Sequence, residues 1–99
     1  MIVTHSTDLQ CICPVNDGID YYEIEITFDR EVMVEAIRKV LALYKDKKAT
    51  QESITQNIAD YLGAKVTTRG QHSEFRTTCT VDRITTPPCT RPGLGSNEE

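Results

Sequence analysis

The sequence has no basic excess: 11 Lys and Arg stand against 15 Asp and Glu, for a net charge of -4 over 99 residues. Binding nucleic acid without regard to sequence needs a basic surface, so the balance argues against that class. No apolar run approaches the roughly 20 residues that cross a bilayer. Nor does the start show the charged-then-apolar order of a secretory leader. A cytoplasmic chain without a membrane partner is expected, and no internal repeat is visible. Length sets a further limit, because a domain of about 100 residues buries roughly two thirds of its unfolded surface and has little room for a deep cavity. A ligand site would be shallow, or completed by a neighbouring subunit.

Against these absences stands the stretch Cys11 to Ile26, CICPVNDGIDYYEIEI. A cysteine precedes a proline-led turn, an aspartate follows the turn, and an alternating strand comes next. Met1 to Ile12 reads as a strand, with Val3, Leu9 and Cys11 on one face. Pro14, Asn16, Asp17 and Gly18 are turn chemistry, with Gly or Asn able to supply a positive φ. From Tyr22 to Phe28 the alternation predicts Tyr22, Ile24, Ile26 and Phe28 on a packed face and Glu23, Glu25 and Thr27 on a wet one.

Asp29 is a candidate cap for a helix with Glu31 in its first turn and an apolar stripe of Met33, Ile37, Val40, Leu41 and Tyr44. The basic cluster Lys45, Lys47 and Lys48 suits that helix's C-terminus. Thr50 predicts a second start, Ile54, Ile58, Ala59 and Leu62 a second stripe, and Gly63 its end. Lys65–Gln71 and Phe75–Ile84 read as strands joined by a polar turn at His72, Ser73 and Glu74. The expected fold is α+β, in the order β-β-α-α-β-β, with two helices on one face of a four-stranded antiparallel sheet over residues 1–84. The Pro- and Gly-rich residues 85–99, with Cys89, read as a disordered tail.

This order resembles the tunnelling fold of GTP cyclohydrolase I, the 7-cyano-7-deazaguanine reductases and related pterin and purine enzymes. The resemblance covers roughly residues 3–84. It implies a homo-oligomer in which subunits close side by side, with sites at their boundaries. Two motifs carry it. Cys13-Pro14-Val15 and Asp20, seven positions after the cysteine, are similar to the nucleophile and acid of the nitrile reductases. Met33-Val34-Glu35 resembles the opening of their NADPH-binding motif, but Ile37, Arg38 and Lys39 replace its Ser-Leu-Lys core. Gln51-Glu52-Ser53-Ile54-Thr55, with Ile58-Ala59, resembles the cyclohydrolase helix whose glutamate holds a guanine-like or pterin-like ring. His72 falls where that family has a catalytic histidine. Glu74 stands where it has a zinc-ligating cysteine, and Cys11-Ile12-Cys13-Pro14 where it has Cys-Glu-His-His.

The implied chemistry has Cys13 as nucleophile, Asp20 as acid and base, His72 as a further catalytic group, and Gln51 with Glu52 on the ligand. A thiolate adds to an electrophilic carbon such as a nitrile to give a thioimide. A free thiol has a pKa of about 8.5, so it needs a base or a favourable environment. A carboxylate suits Glu52's task because it accepts two parallel hydrogen bonds from a ring N–H and an exocyclic amine. Three alternatives stay open. Cys11, Cys13 and His72 are zinc-type ligands and would serve a cyclohydrolase-like or pterin-processing hydrolase. The cysteines are equally read as small core residues, as Cys79 is. Finally, the chain keeps the fold and oligomer but only binds a ligand. The four tyrosines are read as packing.

Overall fold

A computed structural model describes residues 1–85; residues 86–99, which hold most of the expected tail and Cys89, lie outside the described residues. Strands β1 (Val3–Ile12) and β2 (Ile19–Phe28) are followed by helices α1 (Val34–Ala42) and α2 (Gln51–Leu62), then by β3 (Lys65–His72) and β4 (Phe75–Asp82). The sheet is antiparallel in the order β1-β2-β3-β4. The expected element order is the observed one. Among the described residues no helix is long and apolar enough to cross a membrane.

Alternation in β2 decides the layering. Tyr22, Ile24, Ile26 and Phe28 are all at most 2% exposed and face the helices. Across the ladders they meet Leu9 and Thr7 on β1 and Thr68 and Val66 on β3. Ile54, Ile58 and Ala59 of α2 and Ile37 of α1 close the core from above. The opposite face is polar, with hydroxyl pairs Thr4–Thr27 at 2.9 Å and Thr67–Thr80 at 3.2 Å. Arg69 there reaches Glu25 at 3.1 Å.

The start of α2 is as expected: the Thr50 hydroxyl accepts from the Ser53 N–H at 3.2 Å, and Gly63 ends the helix at φ 59. The start of α1 is not. Met33 precedes the first turn with no side-chain cap, and Glu35, not Glu31, is the first-turn acid. Asp29 lies four residues before that cap position, and its carboxylate pairs with Arg30 at 3.3 Å. Arg30 in turn covers the Phe28 ring at 5.3 Å and donates to the Leu62 carbonyl at 3.0 Å. Residues 29–33 thus carry the chain from the sheet to the helix layer before any helix begins. Met33 is 71% exposed and contributes nothing to the apolar stripe.

Lys45, Lys47 and Lys48 lie beyond α1 rather than in its last turn. Their segment runs along the edge of β1: the Asp46 N–H donates to the Gln10 carbonyl at 2.8 Å and the Ile12 N–H to the Lys47 carbonyl at 2.9 Å. Lys48 pairs with Asp17 at 2.6 Å, which ties this linker to the turn between β1 and β2. In that turn the positive φ falls on Asp17 (φ 61), because the Asn16 side chain instead accepts from the Gly18 N–H at 2.8 Å.

Candidate active site

The turn after β1 is tight. The Cys13 N–H donates to the Gly18 carbonyl at 2.8 Å, and the Asp17 N–H returns to the Cys13 carbonyl at 3.0 Å. Six residues are thereby folded so that Cys13 and Asp20 come back to the same end of the sheet. One shallow cavity of about 200 Å³ is lined by Cys13, Val15, Asp20, Tyr22, Glu52 and His72, with Thr50 and Gln51 at its wall. All five residues assigned from the sequence, Cys13, Asp20, His72, Gln51 and Glu52, therefore border a single space. They come from the first turn, the start of β2, the start of α2 and the end of β3.

His72 is placed differently from the turn expected for it. It closes β3 opposite Phe75, and a two-residue turn at Ser73 and Glu74 follows, with Ser73 at φ 60. As a strand residue it points to the helix side, half-buried, with Nε2 at 2.8 Å from Gln51 Oε1. Gln51 itself is 1% exposed. Its amide nitrogen donates to the Thr68 carbonyl at 3.0 Å, the Thr68 hydroxyl at 3.1 Å and the Thr77 carbonyl at 3.0 Å. Its neighbour Glu52 is exposed and faces outward from the same turn.

Tyr22, expected to serve packing alone, also lines this cavity. Its ring is 2% exposed, 6.2 Å from the His72 ring, while its hydroxyl donates to Asp20 Oδ2 at 3.1 Å. Burial, and then the Asp20 carboxylate beside it, pushes the Tyr22 hydroxyl well above the ordinary tyrosine range, so it stays a donor. The ladder between β2 and β3 stops at Glu23 and Arg69. Just beyond it the Tyr22 ring fills the space over Gly70, where an added Cβ would sit 2.5 Å from the ring. A glycine in a strand reads as a bulge or a close approach, and that was the one available signal for Tyr22.

Cys11 is apart from this group. It is fully buried, its Sγ donates to the Tyr44 carbonyl at 3.3 Å, and burial, then the charges of Asp20 and Asp46, pushes its thiol up to about 11. Its sulfur is turned into the core and does not border the cavity that Cys13 and His72 share. Among the described residues no three His, Cys, Asp or Glu side chains converge as a metal site. Glu74 is exposed and bonded to Ser73 at 2.8 Å. Within one subunit these residues do not fit zinc.

The NADPH-like segment lies elsewhere on the subunit. Met33, Val34 and Glu35 border a depression with Met1, Val3 and His5, at the far end of β1 from Cys13. Ten strand residues separate the two ends, roughly 30 Å. Ile37, at the expected Ser-Leu-Lys core, is 4% exposed and committed to the core. Cys79 faces the helices from β4, half-buried, in keeping with a packing role.

No family model matches this sequence, and no curated protein matches it. Among solved structures, the archaeosine synthase QueF-Like in its apo form is similar, with a TM-score of 0.75 at 14% identity, over 82% of this chain and 91% of that one. At that identity the likeness concerns the path of the chain. Helices inserted between two hairpins over one four-stranded sheet, shared across nearly the whole of that neighbour, identify the architecture: this chain has the tunnelling fold.

Proposed function

We propose that the chain is an enzyme that binds a guanine-like heterocycle, most like a 7-deazaguanine bearing a nitrile, and forms a thioimide at Cys13. The observation that carries this is the single cavity shared by Cys13, Asp20, Glu52 and His72. Glu52, exposed at the start of α2, accepts from the ligand's ring N–H and exocyclic amine. The ring then projects its electrophilic carbon toward Cys13. Sγ bonds to the nitrile carbon, one C–N π bond becomes a lone pair on nitrogen, and the thiol proton, carried by the Asp20 carboxylate, ends on that nitrogen. Tyr22 holds Asp20 for this transfer through its hydroxyl.

Reduction is the poorer continuation, because the residues that would hold NADPH do not match. We favour an amine as the second reactant. It adds to the thioimide carbon, the C–S bond breaks, the amine's proton returns to sulfur, and an amidine leaves. The similarity to an archaeosine synthase is in keeping with this choice and supports it only through the fold.

The working unit in this reading is an oligomer. A cavity of about 200 Å³ is below the roughly 300–1,000 Å³ of ligand pockets, and β4 is an edge strand of the sheet. A second copy beside that edge would deepen the site. Light scattering at micromolar concentration should give a multiple of the chain mass; a monomer would remove the shared-site part of the proposal. Incubation with 7-cyano-7-deazaguanine and intact-mass measurement tests the chemistry. The parent should gain the full mass of the nitrile, since addition releases nothing, and Cys13→Ala should gain none. No adduct on the parent, or the same adduct on Cys13→Ala, would sink it.

A further inference from the structure

The hydrogen bonds around Gln51 have a fixed direction. The Gln51 carbonyl accepts from the Thr55 hydroxyl at 2.7 Å, and a backbone carbonyl has no proton to give. The single Thr55 proton is therefore committed. In the 2.6 Å contact between the Thr55 and Thr68 hydroxyls, Thr68 must be the donor. Its own proton committed, Thr68 Oγ1 can only accept from the Gln51 side chain at 3.1 Å. The Thr68 and Thr77 carbonyls, each 3.0 Å from the same atom, make the identical demand. That atom is the amide nitrogen, because turning the carboxamide over would press an oxygen against two buried carbonyls and a hydroxyl without a free proton.

Oε1 is then left facing His72, and an amide oxygen only accepts. Nε2 of His72, 2.8 Å away, must carry a proton whether the ring is neutral or charged. We infer that Gln51 is a positioning residue that fixes His72 as its Nε2–H tautomer. Nδ1 is then the one ring nitrogen that can take up or release a proton, on a ring that borders the cavity with Cys13, Asp20 and Glu52. Nδ1 has no protein hydrogen bond among the described residues. The network that sets this runs from Thr68 through Thr55 to the first residue of α2. His72 thus carries a proton to and from a ligand by Nδ1 alone, and never passes one inward to Gln51.

Use of that proton in catalysis rests on the reading proposed above, but the tautomer does not, so failure of the adduct experiment leaves it standing. The chain has two histidines, which makes the test direct. Two-bond proton–nitrogen correlation spectra of the full nitrogen-15-labelled chain are recorded through a pH titration, and His72→Gln identifies the His72 signals. The expected result is a ring that loses its proton from Nδ1 only, with Nε2 protonated throughout and no averaging between tautomers. Averaged signals like those of a free imidazole, or protonation at Nδ1 in the neutral ring, would overturn it. Gln51→Met removes the acceptor and should bring the tautomer mixture back; a folded variant that still holds pure Nε2–H would overturn the role of Gln51. Should that variant not fold, the parent spectrum still decides the tautomer.

Discussion

The two helices begin in opposite ways. At the start of α2, Thr50 caps the backbone, Gln51 turns inward with both side-chain polar atoms bonded, and Glu52 turns outward beside the cavity. At the start of α1, Met33 caps nothing and Glu35 stands exposed in the first turn, away from the group around Cys13. Both helices cover the same sheet, so burial alone does not explain the contrast. Polar atoms are built into the protein where a direction must be held, and α2 begins at that place. The first turn of α1 serves only to lay Ile37 on the core.

This contrast can be broken, and the largest effect should come from Gln51→Ala. It would strand the Thr68 and Thr77 carbonyls and His72 Nε2 together, at about 2–4 kcal/mol of stability. Met33→Ala at the other helix should stay within about 0.5 kcal/mol. Urea unfolding of the two variants measures both, and equal losses would erase the distinction. Next comes Gly70→Ala. The new methyl group must displace the Tyr22 ring, which should destabilise by about 1–3 kcal/mol and pull the Tyr22 hydroxyl off Asp20. A crystal structure of the variant with Tyr22 unmoved would count against that.

Caps give a smaller and reciprocal pair. Thr50→Ala should lose about 1 kcal/mol at α2. Met33→Ser, at a residue already extended (φ -70, ψ 137), should gain up to about 1 kcal/mol at α1. Thermal unfolding reads both signs. The least conspicuous effect is a slope. Folding raises the Cys11 value, so the fold favours the neutral thiol: its contribution is complete below about pH 9 and is lost as pH rises towards about 11. The stability difference between the parent and Cys11→Ser should shrink over that window and be flat below it.

Much of this was legible in the sequence, for reasons that differ by residue. Alternation in β2 is a period of two over seven residues, and only one face of it is apolar, so Tyr22 to Phe28 could be assigned to a packed face directly. Thr50 and Gly63 mark α2 because both act locally, through their own backbone. Cys13 and Asp20 were paired by spacing, and the turn between them is short enough for spacing to determine proximity. The start of α1 is hidden because Asp29 satisfies a local rule, yet the segment it opens is anchored through Arg30 to the Phe28 ring beside it and to Leu62, far away in the sequence. That His72 still belongs to β3 is hidden, since Ser73 takes a positive φ without the glycine or asparagine that usually announces it. The inward turn of Gln51 depends on Thr68 and Thr77, and the second role of Tyr22 on Gly70. Such dependences arise only when β3 meets the rest of the sheet.

The claim that the first turn of α2 belongs to the site, and that of α1 does not, is tested most directly with the two first-turn acids. Glu52→Gln and Glu35→Gln make the same chemical change at exposed positions. Titrated with 7-cyano-7-deazaguanine in a Cys13→Ala background, where no covalent bond forms, Glu52→Gln should weaken binding at least about tenfold, a loss near 1.4 kcal/mol. Glu35→Gln should leave it unchanged. Equal affinities for the two variants would contradict the account.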